Sequence, residues 1–255
     1  MRWTLEDARG QAMMVRRFGE GPEIVWIHGL GEWSLNFDPI AAHPAFAGFS
    51  HVMPDLPGYG RSPWPEQADG VEQLADRLAS WIGDRRPALI GHSMGGALAT
   101  LVAERIAVRA VVNVDGNLSR GDCTFSAKGA AYTPDDFAAF GFSALRAQIY
   151  DDGRSDLALR GYHAALCATS PRVYHRQALE LVAMSESETL VTRLAALRVP
   201  ALFVAGVPGG ICAHSRTLLD RHAVRWVGIE PAGHWVHVDQ PERFAAEVTG
   251  FLRDA

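Results

Sequence analysis

Lysine is almost missing from this chain. Lys128 stands alone among 24 cationic side chains, the rest being arginine. Codon usage is a sufficient reading of that bias. Cysteine is scarce too. Cys123, Cys167 and Cys212 are too few and too scattered for a disulfide framework or a zinc site. An odd number fits free thiols in a reducing compartment. No apolar run reaches the roughly 18 residues of a membrane-spanning helix. The strongest, Val108–Val114 and Val199–Val207, are short and broken by Arg109 or Pro200, as buried strands are. The net charge is −5 with no basic cluster, which speaks against a nucleic-acid partner. The first residues, Met1-Arg-Trp-Thr-Leu-Glu-Asp, hold no apolar signal core, so a cytoplasmic location is expected. Repeats and low-complexity tracts are absent.

What is there is an ordinary globular composition, 48% hydrophobic and 21% charged, with enough apolar side chain to build a core. Apolar runs bounded by turn residues alternate with helical patterns, as a parallel sheet with crossover helices requires. Strands are predicted at Met13–Phe18, Glu23–Ile27, His51–Pro54, Pro87–Ile90, Arg109–Val114, Pro200–Ala205 and Val224–Ile229. Helices are predicted at Val71–Ile82, Met94–Arg105 and Pro241–Arg253, the last with proline at its start. From Asn117 to Leu197 the rhythm breaks. Helical segments (Pro134–Phe140, Leu145–Tyr150, Leu157–Cys167, Val173–Met184) follow one another without a strand. An unstructured loop of that length is not credible. The expected organisation is therefore a core of residues 1–116 and 198–255 with a helical cap inserted at 117–197.

The sharpest motif is Gly91-His92-Ser93-Met94-Gly95. It follows a predicted strand and opens a helix rich in small residues, the setting of a nucleophile elbow. Free N–H groups and the positive dipole end at such a helix start face developing negative charge. A serine hydroxyl needs a base. His234, in Pro231-Ala-Gly-His-Trp235, follows the last strand on the expected sheet edge. His92 reads as structural, because neighbouring elbow side chains point apart. His237 is the rival base but falls toward the final helix. Trp26-Ile-His-Gly-Leu-Gly31 is a strand with a glycine-rich turn. Its Leu30 N–H, beside that of Met94, would form an oxyanion hole. Trp33 and Trp235 are the expected substrate contacts. Phe125, Phe137, Phe140, Tyr150 and Tyr162 either line a pocket or fill the cap's own core. The loop Asp55–Ser62 lacks the ending of a P-loop and reads as a structural turn. No spacing suggests a metal, and no cofactor is expected.

These motifs resemble the α/β-hydrolase fold superfamily along nearly the whole chain. The resemblance rests on His28-Gly-Leu-Gly31, Asp55-Leu-Pro-Gly-Tyr-Gly-Arg-Ser62, Gly91-His-Ser-Met-Gly-Gly96 and Gly233-His234, in the family's order and spacing. It implies an eight-stranded, mostly parallel sheet with helices on both faces and a helical cap after the sixth strand. It also implies a serine nucleophile, a histidine base and an acid. Ser93 fits the esterase, lipase and carbon–carbon hydrolase branches, not those with an aspartate nucleophile. The family's usual place for the acid, after Pro200–Ala205, here reads Gly206-Val-Pro-Gly-Gly-Ile-Cys212 and holds no carboxylate. Asp115 follows the strand beside the elbow strand, where some branches carry the acid. It is the expected third member, ahead of Asp220, in a predicted helix, and Asp239, expected to face away.

The function expected is hydrolysis of a small or medium ester, thioester, amide or activated C–C bond. The partner is a small molecule with a largely apolar acyl or alcohol part. The alternatives are a ligand-binding protein on the same fold, or a lyase or perhydrolase using the same pair. Monomer and homo-oligomer are both compatible with the sequence.

Overall fold

The computed structural model describes every residue from Met1 to Ala255. Eight strands form one sheet: β1 (Arg2–Ala8), β2 (Gln11–Phe18), β3 (Glu23–Ile27), β4 (Ser50–Asp55), β5 (Ala88–His92), β6 (Ala110–Val114), β7 (Ala201–Gly209) and β8 (Trp226–Gly233). Their order is β1-β2-β4-β3-β5-β6-β7-β8. Only β2 runs against its neighbours; β4 through β8 are parallel.

The alternation of side chains along each strand explains the layering. On β3, Ile24 and Trp26 enter one apolar cluster while Val25 and Ile27 enter the other. The first cluster is covered by the helix Pro241–Asp254, which buries Phe244, Ala245, Val248, Phe251 and Leu252. The second takes Val71–Ile82 and Met94–Ala103. The former buries Val71, Leu74, Ala75, Leu78, Ala79 and Ile82, the face that its spacing predicts. Full burial of each such leucine or isoleucine contributes roughly 1.5–3 kcal/mol. No helix is long and apolar enough to cross a membrane.

β1 was not among the predicted strands. Its sequence, Arg-Trp-Thr-Leu-Glu-Asp-Ala, carries charge on an edge that is mostly exposed, so no apolar alternation marks it. It is held by antiparallel pairing to β2 and by Glu6, which accepts from Arg17 and Trp81.

Between β6 and β7 the chain is entirely helical or irregular. It forms helices at Ser126–Ala130, Phe142–Asp152, Leu157–Leu166, Pro171–Glu186 and Thr189–Ala195. Pro134–Gly141 joins the second of these through one wide turn. This segment packs in the same apolar cluster as Val71–Ile82.

Candidate active site

Strand order fixes the site. β5 lies between β3 and β6, so three loops leave neighbouring strand ends: the turn His28–Glu32, the elbow at Ser93 and the bend at Asp115. β8 lies two strands from β6, and its loop carries His234. Asp115 and His234 therefore meet across the end of β7.

Ser93 has φ 55° and ψ −123°, a left-handed backbone that costs a non-glycine residue about 1–3 kcal/mol. It is held by its amide on Val114 O at 2.9 Å and by Gly96 N on its own carbonyl at 2.8 Å. A side chain at Gly91 would run into the elbow backbone at Gly95, and one at Gly95 into the Ile27–His28 backbone at the end of β3. Met94 opens the helix behind the serine. Neither its amide nor that of Leu30 finds an acceptor in the chain.

His234 Nδ1 lies 2.9 Å from Asp115 Oδ2. Asp115 is fully buried and also has a left-handed backbone, at φ 50°. Its Oδ1 accepts from the amides of Gly206 (3.1 Å) and Ile211 (3.2 Å). The loop that lacks a carboxylate thus supplies the donors that hold this one. A side chain at Gly210 would collide with both Asp115 oxygens. With Nδ1 engaged, Nε2 is the nitrogen left for proton transfer. No hydrogen bond joins Ser93 Oγ to the ring; such bonds often close only around substrate.

Ser93, Asp115, His234, Leu30 and Trp235 all line one cavity of about 250 Å³. Met94 is fully buried behind the elbow. Of the aromatic candidates, Phe125 and Tyr162 reach the cavity, where both rings pack against Trp235. Lys128 sits over Phe125, 5.8 Å from the ring centroid. Phe137 fills the insertion's core, while Phe140 and Tyr150 are exposed.

Two expectations need correction. Trp33 does not line the cavity. The residue before it, Glu32, does. Asp239 does not face away: it lines the cavity, and its Oδ2 accepts from Gly233 N at 2.7 Å.

Glu32 is a site residue that the sequence did not announce. It is buried in the cavity wall. It accepts from Gly29 N at 2.7 Å, from Trp235 Nε1 and from His92 Nδ1 at 3.0 Å. His92 Nε2 lies 2.9 Å from the His234 carbonyl oxygen. Both partners of His92 are acceptors, so both ring nitrogens carry protons and the pair is carboxylate with imidazolium. Burial alone would push the His92 ring down, but the charge and hydrogen bond of Glu32 raise it. Burial would likewise raise Glu32, but the His92 charge, with the bonds from His92 and Gly29, holds it far below the usual carboxylate range. The pair ties the His28–Glu32 turn, the elbow and the His234 loop into one unit.

The other nearby histidines are buried away from Ser93's cavity. His237 is buried beside Phe37 and Phe244 with neither nitrogen bonded. Burial, then the neighbouring His92 charge, push it down to about 3. His28 Nε2 accepts from Leu56 N at 3.0 Å, and burial keeps that ring neutral. In the Asp55–Ser62 turn, Asp55 is spent on the amides of Ser34 and Arg61.

The magnesium-chelatase 30 kDa subunit of Rhodobacter capsulatus is 28% identical over 241 residues, covering 86% of this chain and 82% of that protein. The pimeloyl-[acyl-carrier protein] methyl ester esterase of Aeromonas salmonicida is 36% identical over 93 residues, or 36% of either chain. The enol-lactonase of Burkholderia xenovorans LB400 superposes with a TM-score of 0.81 at 21% identity, over 98% of this chain and 100% of that one. A thermophilic esterase from Thermogutta terrifontis gives 0.80 at 19% identity, over 100% and 99%. At such identities the superpositions carry the fold alone. The sequence model of the alpha/beta hydrolase family matches residues 24–247, from β3 into the closing helix. The chain belongs to the alpha/beta hydrolase family.

Proposed function

We propose that the protein is a serine hydrolase that cleaves small or medium carboxylic esters through an acyl-enzyme. Ser93 Oγ attacks the ester carbonyl carbon while His234 Nε2 takes its proton. The tetrahedral oxyanion rests on the Leu30 and Met94 amides, each typically contributing about 3–4 kcal/mol to such a transition state. His234 then protonates the departing alcohol. Water, deprotonated by His234, attacks the acyl-enzyme, and Ser93 regains its proton as the acid leaves. Asp115 holds the ring and stabilises its charged form. Glu32 and His92 act as positioning residues behind both the oxyanion turn and the base. Thioesters, amides and activated C–C bonds are open to the same machinery.

The observation that carries this reading is the 2.9 Å Asp115–His234 bond on the cavity that Ser93 lines. The apolar part of the substrate would pack on Phe125, Tyr162 and Trp235. We read residues 117–197 as a cap that selects the substrate, since Phe125, Leu159 and Tyr162 form part of the cavity wall. Labelling by a fluorophosphonate probe tests the chemistry. Folded protein should be labelled at Ser93, and the reaction should vanish in Ser93→Ala and slow steeply in His234→Ala. Unlabelled folded wild type would end the proposal.

One finding favours a second reading. The relative matching 86% of the chain is named as a subunit of magnesium chelatase, not as an esterase. A ligand-binding component on this fold would show saturable binding without turnover or labelling.

A further inference from the structure

The loop Gly206–Cys212 holds Asp115 through the amides of Gly206 and Ile211. That loop must itself be held. β7 pairs with β8 only as far as Gly209, opposite Gly233, and the next three residues have no strand partner. Gly210 N closes a turn on Gly206 O at 3.0 Å, and Arg216 Nη1 donates to Ile211 O at 2.8 Å. The remaining anchor comes from the insertion. Cys212 N donates to Asp122 Oδ1 at 2.9 Å.

Nothing in the sequence marks Asp122, yet its carboxylate is the best-supplied acceptor in this part of the chain. Its Oδ2 takes the Leu118 and Ser119 amides at 2.9 and 3.0 Å and Ser215 Oγ at 2.6 Å. Asn117 Nδ2 donates to the Asp122 carbonyl oxygen at 3.0 Å. The carboxylate is thus fixed within its own turn before it reaches across to the loop. The two segments also pack tightly, since a side chain at Gly121 would run into Cys212 Sγ. Ile211 and Cys212 are successive residues, and their amides go to two different carboxylates, Asp115 and Asp122. A shift at one amide is therefore felt at the other.

Resting on the hydrolase reading above, we propose that Asp122 is a positioning residue of the reaction. It lines the cavity, but both of its oxygens are engaged by the chain, so it acts through the loop and not on substrate. It fixes the Ile211 amide, which fixes the Asp115 carboxylate, which fixes the His234 ring. By the same bonds the start of the insertion is tied to the acid.

Asp122→Asn tests this with little change of shape. The amide oxygen can keep the Leu118, Ser119 and Ser215 donors, while its NH2 group meets the Cys212 N–H, donor against donor. On a p-nitrophenyl ester, kcat per fluorophosphonate-labelled Ser93 should fall about tenfold with KM little moved, because a misplaced base is felt mainly in the transition state. Counting labelled sites removes any loss of folded protein. In an Asp115→Asn background the same change should cost nothing further, since the acid through which Asp122 acts is already gone. A role confined to stability would lower Tm and leave kcat per site unchanged in both backgrounds. Cys212→Pro deletes the same bond from the other side, at a φ of −69° that proline adopts, and should give the same loss. It decides the matter if the asparagine variant does not fold. Unchanged kcat per site, or an equal loss in the Asp115→Asn background, overturns the inference. Wild-type ester turnover and Ser93 labelling would then still stand, so the hydrolase reading survives. A wild type that neither labels nor turns over any ester overturns both.

Discussion

Two carboxylate–histidine pairs lie side by side in this molecule, with the His92 and His234 rings 4.7 Å apart. In one, Asp115 takes Nδ1 of His234 and the other nitrogen has no acceptor beside it. In the other, Glu32 takes Nδ1 of His92 and the His234 carbonyl takes Nε2. The residue types are nearly the same, and the chemistry open to them is not. A ring with one nitrogen free can accept and return a proton. A ring between two acceptors keeps both protons and serves as a fixed cation. What separates the two rings is the second contact, not the carboxylate.

Asp115→Asn tests the comparison hardest. Turnover should fall by up to roughly 10⁴-fold, as when a triad acid becomes an amide, with KM little moved. Steady-state kinetics on a p-nitrophenyl ester checks this. Wild-type turnover in that variant, with Ser93→Ala dead, would remove Asp115 from the mechanism. Next comes Gly210→Ala. The added methyl meets the Asp115 carboxylate while leaving its charge intact. A displacement of that kind should cost about 10²-fold in kcat, and a crystal structure of the variant should show Asp115 shifted.

Glu32→Gln is the matching change on the other pair. It should lower kcat by only about tenfold, through a misplaced oxyanion turn and His234 loop, and leave the pH–rate profile's shape unaltered. Stability should suffer more than catalysis, by about 3 kcal/mol, because one member of a buried pair is left uncompensated. Denaturant unfolding measures it. A kcat loss equal to that of Asp115→Asn would collapse the distinction between the two pairs.

His237 completes the series as a histidine with no carboxylate partner. Its folded-state value near 3 lies below the free value of 6.5, so the unfolded chain takes the proton first as pH falls. The stability tied to its neutral form is intact above about pH 6.5 and is lost progressively from there toward 3. At about 1.4 kcal/mol per pH unit, His237→Phe should lose roughly 2 kcal/mol less than wild type between pH 7 and 5. Equal losses would mean that the ring is not held neutral.

Legibility in the sequence followed the range of the interactions. The elbow, the His28–Gly31 turn and the core strands are local patterns, a strand running into glycine, and each begins within two residues of its expected place, although β7 and β8 run four residues further than predicted. β1 escaped because an exposed, charged edge strand carries no apolar rhythm. Glu32 escaped for a different reason. Its partners His92 and Trp235 lie 60 and 203 residues away, and nothing local distinguishes a glutamate in a turn from a solvated one. Trp33 is favoured in the sequence for its catalytic neighbours, an argument that applies equally to Glu32 beside it. The signal that could have found Glu32 was its place directly after the His28–Gly31 turn, next to a histidine-bearing elbow. Asp115 is singled out by its place after the strand beside the elbow strand, by the family parallel and by the absence of a carboxylate after β7. The amides of that loop, which make the exchange workable, belong to backbone and leave no trace in side-chain chemistry.

The solitary lysine has a practical meaning once it is placed in space. Apart from the chain's own α-amino group, Lys128 is the single amine of the protein, and it lies half-buried over Phe125, whose ring lines the cavity. An amine-directed fluorophore attached at mildly alkaline pH, after the α-amino group is blocked, would therefore sit at one known point beside Phe125 of the cavity wall. Emission from that dye would follow ligand entry directly, with no residue of the native chain exchanged for another.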